Sequence, residues 1–165
     1  MPVAPRPCAD PDCRGRHAPA ERVALAIALC GERGVQLTKL RRQILELLWE
    51  SGRPTGAYDL IAALKRRDAR PIGPPTVYRA LEFLIAQGLA SKIESRNAYV
   101  ACTHPERGQE SLFFICSSCG TSVELEDQRL VHLISEDAAR MGFRPTRRVV
   151  EVEGTCARCA ASDAT

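Results

Sequence analysis

A chain of 165 residues, 45% of them hydrophobic, can form one domain or two small ones with real cores, since domains usually run to about 100–150 residues. No apolar run approaches the roughly 20 residues that span a bilayer; Met1–Ala20 is a polar, Pro- and Arg-containing stretch without an apolar h-region. The reading is therefore no membrane partner, no secretory leader and a cytoplasmic location. The net charge of +3 is unevenly divided: residues 21–105 carry 13 basic against eight acidic side chains, residues 106–165 seven against ten. A front half that meets a polyanion and a back half that does not would have this polarity.

In chain order, residues 1–19 read as a flexible tail. Ala20–Arg33 reads as a helix with Val23, Ala26, Ile27 and Cys30 on its apolar stripe and Gly34 beyond its end. Thr38 is placed to cap a second helix whose inner face is Leu40, Ile44, Leu47 and Leu48. Gly52, Pro54 and Gly56 punctuate the link to a third helix, Ala57–Arg67, which buries Ala57, Leu60, Ile61 and Leu64. Pro71, Gly73, Pro74 and Pro75 lead into a fourth, Thr76–Gln87, closed by Gly88. Two short strand patterns follow, Leu89–Glu94 and Ala98–Cys102, joined at Ser95-Arg96-Asn97 like a hairpin. Helices followed by a two-stranded wing make a winged helix-turn-helix pattern over residues 20–103.

Residues 104–110 are polar and irregular, and read as a hinge. Behind them, Ser111–Cys116 and Thr121–Glu126 alternate as strands. Asp127–Met141 is an amphipathic helix striped by Leu130, Leu133, Ile134 and Met141, and Arg147–Glu153 is a third strand. The expected fold is α+β: a winged-helix DNA-binding domain, then a small α+β dimerisation and metal-binding domain over 111–165. That second domain, with one helix, buries too little core to stand alone and calls for metal, oligomerisation or both.

The eight cysteines need an explanation in a compartment that keeps thiols reduced. Cys116-Ser117-Ser118-Cys119 and Cys156-Ala157-Arg158-Cys159 supply four thiolates in two C-x-x-C knuckles, and soft thiolates in tetrahedral array select zinc. Two separate redox motifs are the competing reading. Redox C-x-x-C pairs usually sit at a helix N-terminus, and the pattern places neither knuckle there. In the fourth helix Val77, Leu81, Leu84 and Ile85 cluster inward, leaving Thr76, Arg79, Glu82 and Ala86 outward. An exposed Arg near a helix N-terminus can enter the major groove and pair with O6 and N7 of guanine; an ordinary surface helix would look the same from this pattern alone.

Ala57-Tyr58-Asp59-Leu60, Pro75-Thr76-Val77-Tyr78-Arg79-Ala80-Leu81-Glu82-Phe83-Leu84, Gln87-Gly88-Leu89, the paired C-x-x-C and Gly142-Phe143 occur in this order. With them the chain closely resembles the ferric uptake regulator family over roughly residues 20–160. The recognition-helix string, Lys92-Ile93-Glu94-Ser95 and Tyr99-Val100-Ala101-Cys102 look most like its zinc uptake regulator branch. The resemblance implies a homodimeric repressor that binds operator double-stranded DNA when zinc is replete and controls zinc uptake genes. It implies no small-molecule substrate, and one structural and one regulatory zinc per protomer. Arg79 matches the family's recognition-helix arginine and Tyr58 its purine-contacting tyrosine; half-buried packing is the alternative role for Tyr58. Thr76 joins them, and Arg41, Arg42, Lys65, Arg66 and Arg96 are candidate phosphate partners.

At the regulatory site the chain departs from the branch's pattern. Cys102 and Glu124 match its wing cysteine and the carboxylate after the first knuckle. Ser91 stands where a wing histidine is expected, and Gln109 or Glu110 where a second one is. The expected regulatory set is Cys102, His104 and Glu124, with Glu110 as a further ligand. Zinc bridging wing, hinge and second domain would fix the angle of each winged helix. Cys30 reads as core and His132 as exposed; Cys8, Cys13 and His17 read as a tail with free thiols, metal binding being the alternative. Few histidines and a thiolate at Cys102 favour zinc over an iron or peroxide sensor of the same family. A zinc-dependent enzyme would need an open coordination position and a placed base, and H-E-x-x-H does not occur. A purely structural zinc module would leave the Arg79 helix without a role.

Overall fold

The computed structural model describes residues 19–67, 72–102, 112–125, 127–146 and 148–163. The chain divides into two compact units, whose described parts run from 19 to 102 and from 112 to 163. The tail with Cys8, Cys13 and His17, and the segment holding His104 and Glu110, lie outside the described residues.

The first unit is built from helices α1 (Pro19–Glu32), α2 (Lys39–Ser51), α3 (Ala57–Arg67) and α4 (Pro74–Ala86), with strands β1 (Thr55–Gly56), β2 (Ala90–Ile93) and β3 (Ala98–Ala101). Its core gathers Ala26 and Cys30 of α1, Ile44, Leu45 and Leu48 of α2, and Ala57, Leu60, Ile61 and Leu64 of α3. Val77, Ala80, Leu81 and Leu84 of α4 join them, with Leu89, Ala90 and Tyr99 beyond that helix. The α3 face is the one its periodicity indicates. Three other faces are rotated. Ile27 is exposed although it shares the α1 stripe, Leu45 replaces Leu47 as a fully buried α2 residue, and Ala80 rather than Ile85 joins the buried residues of α4. A helix wedged between two neighbours buries a wider or shifted arc than a single-stripe reading allows.

Thr38 occupies the N-cap of α2 in an extended conformation, but its side chain makes no capping hydrogen bond. The helix ends at Gly52, whose φ of 62° lets its N–H reach back to the Leu48 carbonyl at 3.3 Å. Helix α4 begins two residues before Thr76, because Pro74 and Pro75 fall where a helix needs no N–H donors. Strands β2 and β3 pair antiparallel as a wing, with Ser91 opposite Val100 and Lys92 opposite Tyr99. Strand β1 adds to the outer side of β3, giving the order β1-β3-β2. Two residues ending in glycine carry no alternation, so β1 has no sequence signature.

The second unit has strands β4 (Leu112–Cys116), β5 (Ser122–Leu125) and β6 (Val150–Gly154), and helices α5 (Gln128–Arg140) and α6 (Ala157–Asp163). The sheet order is β5-β4-β6, antiparallel between β4 and β5 and parallel between β4 and β6. Asp127 caps α5 by accepting the Arg129 N–H at 2.9 Å. The expected single helix of this unit is corrected to two.

Along α5 only Ala138 is buried; Leu130 and Leu133 are exposed, and Met141 just past its end is 76% exposed. Leu130, Leu133 and Met141 of the apolar stripe are therefore open in the single chain, and Phe143, Phe114 and Val152 are exposed as well.

Candidate metal centre and nucleic-acid interface

Parallel pairing of β4 with β6 brings Cys116 level with Gly154, two residues before Cys156. Between Cys116 and Thr121 the chain makes a tight turn: Cys116 N–H donates to the Thr121 carbonyl at 2.9 Å, and Gly120 N–H to the Cys116 carbonyl at 3.0 Å. Gly120 takes a φ of 72°, which the turn requires. The two knuckles converge, and the sulfurs of Cys116, Cys119, Cys156 and Cys159 all lie within 4.8 Å of one another.

This set fits a tetrahedral zinc ion. Zn–S bonds near 2.3 Å place neighbouring sulfurs about 3.8 Å apart, and Cys119 Sγ stands 3.8 Å from Cys156 Sγ. The ionisation chemistry fits as well. The Thr121 hydroxyl, 3.3 Å from Cys119 Sγ, together with the Thr121 N–H, draws the Cys119 thiol down to about 5. Backbone N–H groups of Cys119 and Cys156, the latter 3.4 Å from Cys116 Sγ, lower the Cys116 thiol. Cys159 is pushed up to about 12 by its hydrogen bonds to the Cys156 and Cys119 sulfurs and by burial. Four crowded sulfurs cannot all ionise alone, and a dication supplies the missing charge.

The expectation that neither knuckle lies at a helix N-terminus does not hold. Helix α6 starts immediately after Cys156, so the second knuckle does lie at a helix N-terminus. Convergence of all four sulfurs, rather than distance from helix ends, argues against two separate redox pairs. Within that knuckle the guanidinium of Arg158 lies in the field of the Cys119, Cys156 and Cys159 sulfurs, which favours its charge.

The first unit presents the other constellation. Thr76, Arg79, Glu82 and Ala86 are exposed on α4, as its periodicity indicates. Tyr58, in the first turn of α3, is 71% exposed, which removes half-buried packing as its role. Arg96 is exposed at the tip of the β2–β3 turn, and Lys65 and Arg66 are exposed at the end of α3. Arg42 is exposed and pairs with Glu46 one turn on, at 3.2 Å. Arg41 is only partly exposed and lies over the Phe83 ring, an engagement without a sequence signal. Cys102 is half-buried just past β3, with its N–H on the Leu89 carbonyl at 3.0 Å and its Sγ 3.2 Å from Ser91 Oγ. Glu124 is half-buried in β5, paired with Phe113. Cys30 is buried in the core, burial pushing its thiol up, and His132 is exposed.

The sequence pattern of the Ferric uptake regulator family matches residues 32–153. The chain belongs to the ferric uptake regulator family. Among its relatives is the zinc uptake regulation protein of Escherichia coli (strain K12), 40% identical over 141 residues that cover 84% of this chain and 81% of that protein. Among solved structures, a zinc uptake regulator complexed with zinc and DNA is similar with a TM-score of 0.86 at 36% identity, covering 91% of this chain and 100% of that one. The crystal structure of holo XcZur is similar at 43% identity with a TM-score of 0.80, covering 87% and 99%. In this family member the winged helix and the four-sulfur cluster fall in separate units. Among the described residues no helix is long and apolar enough to cross a membrane.

Proposed function

We propose that the chain is a zinc-responsive transcriptional repressor that binds operator DNA as a homodimer when zinc is bound and controls zinc uptake genes. The observation that carries this reading is the joining, in one chain, of an exposed Arg79–Tyr58 face on a winged helix with a four-thiolate cluster of zinc dimensions. The likeness to a zinc uptake regulator solved with zinc and DNA supports it. Arg79 is assigned to base reading and Tyr58 and Thr76 to flanking contacts; Arg42, Arg96, Lys65 and Arg66 are assigned to phosphates.

Cys116, Cys119, Cys156 and Cys159 would hold the structural zinc. A filled, four-sulfur shell would leave no position for a reacting water, so the ion would tie β4 to α6 rather than activate a substrate. A second, regulatory zinc is assigned to Cys102 and Glu124, together with His104 and Glu110. Ser91, beside Cys102, holds that sulfur in place and is not itself a ligand. The exposed apolar side chains of α5 and the sheet supply the homodimer contact, since a monomer rarely leaves so many large apolar groups open in one small unit.

The test is fluorescence anisotropy of the purified protein on duplexes selected from random DNA, across a titration of free zinc. Tight, sequence-preferring binding that rises with zinc and is not reproduced by Fe(II) or Mn(II) is expected. Activation by iron or manganese alone would transfer the reading to an iron or peroxide sensor, and metal-independent binding would overturn it.

A further inference from the structure

Two arginines that precede α4 in the chain are fastened to its C-terminal half. Arg41, in the first turn of α2, lays its guanidinium 3.5 Å from the centroid of the Phe83 ring. The same side chain donates from Nη1 to the Gln36 carbonyl at 2.7 Å. Arg33, just past the end of α1, donates from Nη1 to the carbonyl of Gln87, the C-cap of α4.

The two contacts differ in chemistry and converge in effect. An Arg plane over an aromatic face is favoured by the ring quadrupole and by stacking, while its edge stays free to donate in plane. A cation on a C-terminal carbonyl satisfies a group the helix leaves unpaired and meets the negative end of its dipole. Arg79, Phe83 and Gln87 are spaced i, i+4, i+8 and form one ridge along α4. The clamp therefore grips the ridge that carries Arg79, one turn and two turns beyond it.

We propose that Arg33 and Arg41 are positioning residues for DNA reading: by holding Phe83 and Gln87 against α1 and α2 they fix the rotation of α4 that presents Arg79. This rests on the reading of α4 as the recognition helix. It moves Arg41 from the phosphate partners to the scaffold. A lysine cannot take its place, because an ammonium is a compact, strongly hydrated charge without a plane to stack.

The experiment compares the zinc-loaded full chain carrying Arg41→Lys, Arg41→Ala, Arg33→Ala, Phe83→Leu and the Arg41→Lys/Phe83→Leu pair. Each is titrated with a duplex selected by the wild type and with a random duplex, at several salt concentrations. Zinc content and thermal melting identify any variant that does not fold. The expected result is that Arg41→Lys and Arg33→Ala each lose about tenfold in the preference for the selected duplex, the scale of one misplaced base contact. Random-duplex affinity and the salt slope should stay unchanged. Arg41→Lys should add little in the Phe83→Leu background. The clamp is overturned if Arg41→Lys matches the wild type while Arg41→Ala lowers the salt slope by about 0.9, the signature of one lost phosphate contact. Should Arg41→Lys fail to fold, Arg33→Ala decides alone, and an undiminished preference in it overturns the clamp. Arg79→Ala separates the two layers of the argument: an intact base preference in that variant would remove the recognition reading itself.

Discussion

The sulfurs of Cys119 and Cys156 lie 3.8 Å apart although 37 residues separate them in the chain. That spacing is the edge of a zinc–sulfur tetrahedron, and the sheet sets it by laying β6 parallel to β4 so that both knuckles leave from one end. The second unit has few other means of closure, since its helix α5 buries only Ala138. Zinc binding energy is then folding energy. Cys116→Ser or Cys156→Ser should lose one zinc per protomer and unfold residues 112–163, while the first unit keeps its core. Metal analysis with circular dichroism checks this; full zinc in Cys116→Ser would refute the assignment.

Arg158 should matter to that zinc although it is no ligand. Its guanidinium lies in the field of Cys119, Cys156 and Cys159, so it offsets part of the negative charge of four thiolates. Hydrogen-bond partners of metal ligands typically change metal affinity by 10–100-fold. Arg158→Ala should keep one zinc per protomer but release it roughly tenfold faster to a competing chelator, and Arg158→Lys should restore part of the retention. Chelator kinetics equal to wild type in Arg158→Ala would show that its charge does not stabilise the ion.

The knuckle spacing made the cluster readable in the sequence, because four thiols in two pairs have few other uses in a reduced compartment. The outward set on α4 was readable as well, since Thr76, Arg79, Glu82 and Ala86 fall on one arc of a helix with a clear apolar side. What stayed hidden depends on contacts between distant residues. Nothing local marks Arg41 as a ring-stacking residue rather than one more basic side chain, and nothing marks Thr55–Gly56 as a strand until β3 offers it a partner. Helix α6 has no separate signal, because its few residues overlap the second knuckle. The α5 stripe is legible as apolar; that Leu130, Leu133 and Met141 are exposed in the single chain is a property of the fold around it.

That outward stripe yields a test of assembly. Leu133 is 52% exposed on α5 and Phe143 66% exposed beyond it. Burying a leucine at an interface is worth about 1.5–3 kcal/mol, and an uncompensated carboxylate there costs more. Leu133→Glu should shift the protein from dimer to monomer at micromolar concentration without unfolding the first unit. Sedimentation velocity reads this directly, and a dimer of unchanged stability would place the subunit contact elsewhere.

Arg79→Ala should relax the preference at one base position by about 1–3 kcal/mol, the usual worth of a paired arginine–guanine contact. Arg42→Ala should instead weaken all duplexes alike and flatten the salt dependence, because a phosphate contact carries no base information. Binding to a panel of single-base variants of the selected duplex distinguishes the two. Equal losses on specific and random DNA in Arg79→Ala would exclude base reading by α4.

The proposed regulatory site is tested through the departure at Ser91. Its hydroxyl lies 3.2 Å from the Cys102 sulfur, so a serine supports the proposed ligand where the branch's pattern has a histidine. Cys102→Ser should leave the protein folded, dimeric and loaded with structural zinc, because Cys116, Cys119, Cys156 and Cys159 form a complete set without it. It should no longer bind the selected duplex at zinc levels that saturate the wild type, because the metal then no longer raises the populated fraction of the binding-competent state. Glu124→Gln should act in the same direction, and His104→Ala more mildly, since a carboxylate or water can fill one vacated position. Ser91→Ala should retain activation but need more zinc, as a positioning residue would. Replacing Cys8 and Cys13 together should change neither zinc stoichiometry nor DNA binding. Each variant is titrated with zinc while bound metal and duplex affinity are read together. Wild-type activation in Cys102→Ser would remove Cys102 from the regulatory site, and loss of one zinc on replacing Cys8 and Cys13 would move that site to the N-terminal segment.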